Sequence, residues 1–222
     1  MSWPHAILFD LDGTLIDSAP DLATSVNIIL LREGLGPLSV GAVRDMIGNG
    51  IRKLVERAFA ACGSTLDAFA LDEHEASMIV IYAHHLTAET TVYPGVPDAL
   101  RYAQDKGIKI AVVTNKPIGA TRAILHHFGI EDACGAVVGG DENIPRKPAP
   151  EPLWVALDRL GVGRADAVMV GDSPADIAAA RAAGVKVIAV SGGYSKIPAA
   201  ELGADHTINS LYDLGDALDQ WR

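Results

Sequence analysis

Six short apolar runs punctuate this chain, at residues 6–9, 108–114, 136–138, 167–170, 185–190 and 206–208. Each is too short for a buried helix and is bounded by polar or glycine residues, the mark of a strand buried on both faces. Helical patterns lie between most of them, at 95–106, 118–128, 151–160 and 175–183. Gly107, Gly129, Gly161 and Gly184 follow those stretches, where helices commonly stop. Strand and helix alternating at this spacing predict an α/β fold, a doubly wound parallel (Rossmann-like) core sheet with right-handed crossovers.

One region breaks the alternation. From 18 to 91 no strand pattern occurs, and helices are expected at 21–32, 40–46, 51–62 and 73–89. The chain returns through Val92-Tyr93-Pro94-Gly95, a turn-forming stretch. The expected organisation is a catalytic core of 1–17 and 93–222 with an inserted all-helical cap domain at 18–92, placed to act as a lid.

In an open parallel sheet, ligands bind beyond the carboxyl ends of the strands. Asp10 and Asp12 follow the first run, in Ala6-Ile7-Leu8-Phe9-Asp10-Leu11-Asp12-Gly13-Thr14. Two like charges so close are costly unless a cation offsets them, and Mg2+ suits carboxylate oxygens. Thr114 and Asn115 follow the second run, Lys147 lies in the loop after the third, and Gly171-Asp172-Ser173-Pro174-Ala175-Asp176 follows the fourth. Paired acids, a hydroxyl with an amide, a cation and further acids together suit phosphoryl transfer. That chemistry needs positioning and charge stabilisation above all. Singly, each group has a plainer reading: Thr114 and Asn115 as a helix cap, Lys147 as a surface lysine, Asp172 as an N-cap. Their convergence on one sheet end favours the chemical reading. His84, His85, His126 and His127 stand in adjacent pairs and read as non-ligands, and Trp3, Trp154 and Trp221 as packing residues.

The net charge of -10 disfavours nucleic acid and anionic membranes as partners, so a phosphate group must be drawn in by a local cluster. Cys62 and Cys134 have no CxxC spacing, which argues against a disulfide framework or structural zinc site and fits a reducing cytoplasm. Met1 to Pro4 lacks the basic start of a signal peptide, and no window reaches the roughly 20 apolar residues of a membrane span. A cytoplasmic monomer or homodimer acting on a small phosphate ester is expected.

In order and spacing, Asp10-Leu11-Asp12-Gly13-Thr14, Thr114-Asn115, Lys147 and Gly171-Asp172-Ser173-Pro174-Ala175-Asp176 resemble the four motifs of the haloacid dehalogenase superfamily of phosphatases. The resemblance implies Asp10 as nucleophile and Mg2+ ligand, and Asp12 as general acid/base whose backbone carbonyl also meets the metal. It implies Thr114 and Asn115 on the phosphoryl group, Lys147 on the nucleophile and phosphoryl oxygens, Asp172 on Mg2+, and Asp176 in support behind the metal. The dehalogenating members lack the Asp12 acid, so dehalogenation is not expected.

A narrower resemblance, to the phosphoglycolate phosphatases, rests on Ile47-Gly48-Asn49-Gly50 with Arg52 and Lys53, on Thr114-Asn115-Lys116-Pro117, and on Lys147-Pro148-Ala149-Pro150-Glu151-Pro152-Leu153. It implies 2-phosphoglycolate as substrate, met in the cap by Gly48, Asn49, Gly50 and Arg52. The alternatives are a phosphatase for another sugar or sugar-acid phosphate, a pyrophosphatase, a phosphoglucomutase of the same fold, and a phosphate-ester-binding regulatory protein.

Overall fold

The structure, a computed structural model, describes residues 3–221. In chain order its elements are β1 (Ala6–Phe9), β2 (Ile16–Asp17), α1 (Ala19–Arg32), α2 (Val40–Arg44), α3 (Ile51–Ala61), α4 (Ala68–Ala83), β3 (Thr91–Val92), α5 (Val96–Asp105), β4 (Lys109–Val113), α6 (Ile118–His127), β5 (Ala136–Val138), α7 (Glu151–Leu160), β6 (Ala167–Gly171), α8 (Pro174–Ala183), β7 (Lys186–Val190), β8 (His206–Ile208) and α9 (Leu214–Gln220). They fall into two compact units, one of Asp17–Thr91 and the other of the remaining described residues.

The larger unit is built on a six-stranded sheet in the order β5-β4-β1-β6-β7-β8. All five pairings are parallel. The chain winds outward from β1 through β4 to β5, then returns to β1's other side and winds outward again through β6 to β8. The sheet therefore reverses direction at β1, where doubly wound folds form their ligand crevice. Strand residues alternate between faces. Leu8, Val113, Val138, Met169 and Val187 share one face with Leu153, Leu157 and Leu160 of α7 and Ile177 and Ala180 of α8. On the other side α5 packs on β4 and α9 on β8. Both faces are covered, which is why the strands read as unbroken apolar runs.

The smaller unit is a helical cluster. Leu22, Val26, Ile29 and Leu30 of α1, Leu54, Val55, Ala58 and Phe59 of α3, and Leu71, Met78 and Tyr82 of α4 are buried at helical spacing. Asp21, fully buried in the first turn of α1, accepts hydrogen bonds from the Thr90 N–H and hydroxyl at 2.8 and 2.7 Å, and from the Glu89 N–H at 3.0 Å. No helix among the described residues is long and apolar enough to cross a membrane.

Several boundaries differ from the sequence expectation. Helix α4 runs Ala68–Ala83 and not 73–89. The Asp67 side chain caps it early by accepting from the Ala70 N–H, and Asp21 draws Glu89 and Thr90 out of helical pairing. α2 stops at Arg44, where residue 46 was expected. The two-residue strands β2 and β3, which pair with each other, and the helix α9 were not anticipated.

Candidate active site

The first strand delivers its acids in extended form. The Asp10 N–H still donates to the Val170 carbonyl at 2.9 Å, so the β1–β6 ladder continues one residue past the strand. The chain then turns sharply, with the Leu11 carbonyl accepting from the N–H groups of Thr14, Leu15 and Ile16. Gly13 sits in this turn at φ +89°, and a Cβ there would lie 2.6 Å from an Asp172 carboxylate oxygen. Only glycine permits both the backbone angle and the close approach.

Lys147 reaches the same point from the loop after β5. Its Nζ lies 2.7 Å from an Asp10 oxygen, 2.7 Å from Asp176 Oδ1 and 2.7 Å from the Val113 carbonyl. Asn115 steadies the lysine by donating from Nδ2 to the Lys147 carbonyl at 2.9 Å. Thr114 is buried, continues the β4–β5 ladder through its N–H to the Val138 carbonyl, and accepts the Lys116 N–H on its hydroxyl.

Beyond β6, Asp172 accepts from the Thr14 hydroxyl at 3.1 Å and from the Tyr194 N–H at 2.6 Å. Asp176 is fully buried and divides its two oxygens. Oδ2 accepts from the Ser173 N–H and hydroxyl, closing a capping box at the start of α8, while Oδ1 accepts from Lys147. The cap and the site are thus built from one side chain.

Carboxylate oxygens of Asp10, Asp172 and Asp176 lie within 4.8 Å of one another, and all three residues are buried. Against these three acids stands one ammonium, from Lys147, which contacts Asp10 and Asp176. Burial first, and then the neighbouring Asp176 and Asp172, push the Asp10 carboxyl up to about 8 despite Lys147. Burial and Asp176 push Asp172 up to about 7, against the Tyr194 and Thr14 hydrogen bonds. Burial alone would lower Lys147, but Asp10 and Asp176 outweigh it and hold the ammonium charged. A cluster of three oxygen donors short of positive charge fits a hard divalent cation such as Mg2+.

Asp12 stands apart from this cluster. Its carboxylate pairs with Lys116 Nζ, at 2.9 Å to Oδ1 and 3.0 Å to Oδ2. Lys116, Thr14 and the Tyr194 N–H carry no role in the motif reading, yet each holds one of its acids. Lys116 lies inside the quoted Thr114-Asn115-Lys116-Pro117, and Thr14 ends the first motif, so position was their available signal. The Tyr194 contact is made by backbone and leaves no trace in side-chain chemistry.

The structure brings together Asp10, Asp12, Thr114, Asn115, Lys147, Asp172 and Asp176. Gly48, Asn49, Gly50 and Arg52 lie in the helical unit. Gly48 and Gly50 both have positive φ, and Gly50 is the N-cap of α3. The Asn49 side-chain oxygen accepts from Arg57 at 2.8 Å. The guanidinium of Arg52 is engaged by Asp72 and by Glu75, the latter at 2.8 Å.

A profile for haloacid dehalogenase-like hydrolases matches residues 7–190. A phosphoglycolate phosphatase of Rhodospirillum rubrum is 45% identical over 219 residues, covering 97% of this chain and 91% of its own. One from Cereibacter sphaeroides is 42% identical, covering 93% and 94%. The crystal structure of a predicted phosphoglycolate phosphatase from Haemophilus somnus superposes with a TM-score of 0.90 at 32% identity, covering 98% of this chain and 99% of its own.

Proposed function

The chain belongs to the haloacid dehalogenase-like hydrolases, and from that membership we propose a phosphatase for small phosphate esters, 2-phosphoglycolate before any other, working in the cytoplasm through a phosphorylated Asp10. The observation that carries this reading is the different setting of two acids in one loop. Asp10 sits among Asp172, Asp176 and Lys147, while Asp12 is held by Lys116. Paired carboxylates in unlike environments take unlike roles.

An Asp10 oxygen attacks phosphorus as the ester P–O bond breaks, and the Asp12 carboxylic acid gives its proton to the departing alkoxide. Water then attacks phosphorus, its proton passes to the Asp12 carboxylate, and the bond to Asp10 breaks. Inorganic phosphate and the alcohol leave, with both acids restored. Lys147, Thr114 and Asn115 hold the transferring oxygens in line. Asp10, Asp172 and the Asp12 backbone carbonyl would hold Mg2+, with Asp176 behind them. When bound, the ion offsets charge on the phosphoryl oxygens.

The names of the curated relatives support 2-phosphoglycolate. So does the Gly48-Asn49-Gly50 segment at the N-terminus of α3, a setting that favours a carboxylate. The helical unit then serves as the cap, and Arg52 joins it in substrate recognition only by giving up Asp72 and Glu75.

Phosphate release from 2-phosphoglycolate, hexose and pentose phosphates, phosphoglycerates and pyrophosphate, with and without Mg2+, tests the reading. Metal-dependent release with a strong preference for 2-phosphoglycolate is expected. Preference for another ester would discard the substrate. Isomerised sugar phosphate in place of free phosphate would make the protein a mutase.

A further inference from the structure

Among the described residues the buried lysines are Lys116 and Lys147. The reaction above uses Lys147 and leaves Lys116 without a role. A lysine is rarely buried, because removing its charge from water is costly unless it is paired. The Lys116 side chain is 3% exposed, against 13% for the Asp12 side chain it grips.

Its backbone is held as firmly. The Lys116 N–H donates to the Thr114 hydroxyl at 3.2 Å, and its carbonyl accepts from the Gly140 N–H at 2.8 Å. A Cβ on Gly140 would lie 2.2 Å from the Asn115 carbonyl oxygen, so the two loops touch backbone to backbone. Pro117 begins the connection to α6 in an extended conformation, which keeps Lys116 at the mouth of β4 and off the helix. The ammonium therefore approaches from a fixed base. With both Asp12 oxygens held from one side, the plane of that carboxyl group is set.

We infer that Lys116 is a positioning residue for Asp12, fixing the one orientation from which its carboxyl both protonates the leaving alkoxide and deprotonates the attacking water. The inference rests on the acid/base reading of Asp12 proposed above. It deepens that reading by giving the acid its own support, separate from the lysine that serves Asp10. A support of this kind matters only where a proton moves. Transfer of the phosphoryl group to Asp10 from a p-nitrophenyl ester needs no proton for its leaving group. Hydrolysis of the phosphorylated Asp10 still needs a base.

The test compares Lys116→Met with wild type on 2-phosphoglycolate and on p-nitrophenyl phosphate, with Asp12→Asn and the double variant alongside. Loss of general acid–base catalysis is expected to lower kcat on 2-phosphoglycolate by about 100-fold. On the aryl ester, Lys116→Met is expected to release one equivalent of nitrophenol per enzyme in a burst within about 3-fold of the wild-type rate, then turn over slowly. The double variant is expected to fall within about 3-fold of Asp12→Asn, since the two residues act as one unit. Lys116→Arg, which keeps a cation able to span both oxygens, is expected to recover at least about 10-fold over Lys116→Met.

A nitrophenol burst slowed as much as 2-phosphoglycolate turnover would overturn the inference and make Lys116 a general charge of the site. Losses that multiply in the double variant would overturn it too. If Lys116→Met fails to fold by circular dichroism, Lys116→Gln carries the same comparison. A wild-type protein that releases neither nitrophenol nor phosphate from any ester would overturn the reaction itself, and the inference with it.

Discussion

Asp10 and Asp12 are the same residue type two positions apart, and their surroundings divide them. Asp10 shares a buried pocket with two other acids and one lysine, so its carboxyl is pushed up to about 8 from an ordinary value of 3.8. Without a divalent cation the folded chain therefore binds a proton there that the unfolded chain releases near pH 4. Stability from this group is complete at low pH and is lost as pH rises from about 4 to about 8, by roughly 2–5 kcal/mol. Melting temperatures taken across that window with a chelator present should fall, and Asp10→Asn should flatten the fall. Added Mg2+ should raise the melting temperature more at pH 8 than at pH 5, because at pH 5 the ion must displace protons from Asp10 and Asp172. An equal gain at both pH values would remove the ion from this cluster. Asp10, Asp12 and Asp172 were legible in the sequence because charge at the end of an apolar run is anomalous, and Lys147 because it lies between prolines in the loop after the third run. The partner of Lys116 was not, since the motif that contains it says nothing of where its side chain reaches until the structure pairs it with Asp12.

Single elements are held by a few buried polar contacts that periodicity does not reveal. An acid in the first turn of α1 looks like ordinary dipole compensation. Asp21 instead gathers the N–H groups of Glu89 and Thr90 and the Thr90 hydroxyl, tying the start of the helical unit to its return. Asp21→Ala would leave those donors unpaired and bury a gap, at a cost of about 3–5 kcal/mol. Amide exchange should show the loss first at Glu89 and Thr90, and Asp21→Asn, which keeps one acceptor oxygen, should lose less. Unchanged protection at both amides would mean that the segment is held by other contacts. The same long-range contact explains why a helix expected to reach residue 89 ends at Ala83. The apolar spacing of α5 to α8 needed no such partner, so their ends are within a residue or so of expectation.

At the scale of the molecule, chemistry and fastening occupy opposite ends of the sheet. The candidate site residues stand beyond the carboxyl ends of β1, β4, β5 and β6. At the amino ends, Lys186 of β7 lies 4.7 and 4.8 Å from the Trp3 and Trp221 rings, which meet edge to face at 5.3 Å. Trp221→Ala should lower the melting temperature by about 2–4 °C, the loss of roughly 1 kcal/mol in a chain this size, and leave kcat unchanged. A drop in kcat would show that the two ends communicate. The doubly wound class was legible from six runs and the glycines between them. The pairing of β2 with β3 was not, because two residues carry no period. The sheet order has a consequence in time. Thr14 and Asp172 touch across 158 residues of sequence, and Asp12 and Lys116 across 104. On the ribosome Asp10 emerges early, and the last strand to pair with β1 emerges only when most of the chain has been made. A growing chain therefore carries the Asp10–Asp12 loop before Lys116, Lys147 and Asp172 can stand beside it, and the site proposed above should be complete only once β6 lies beside β1.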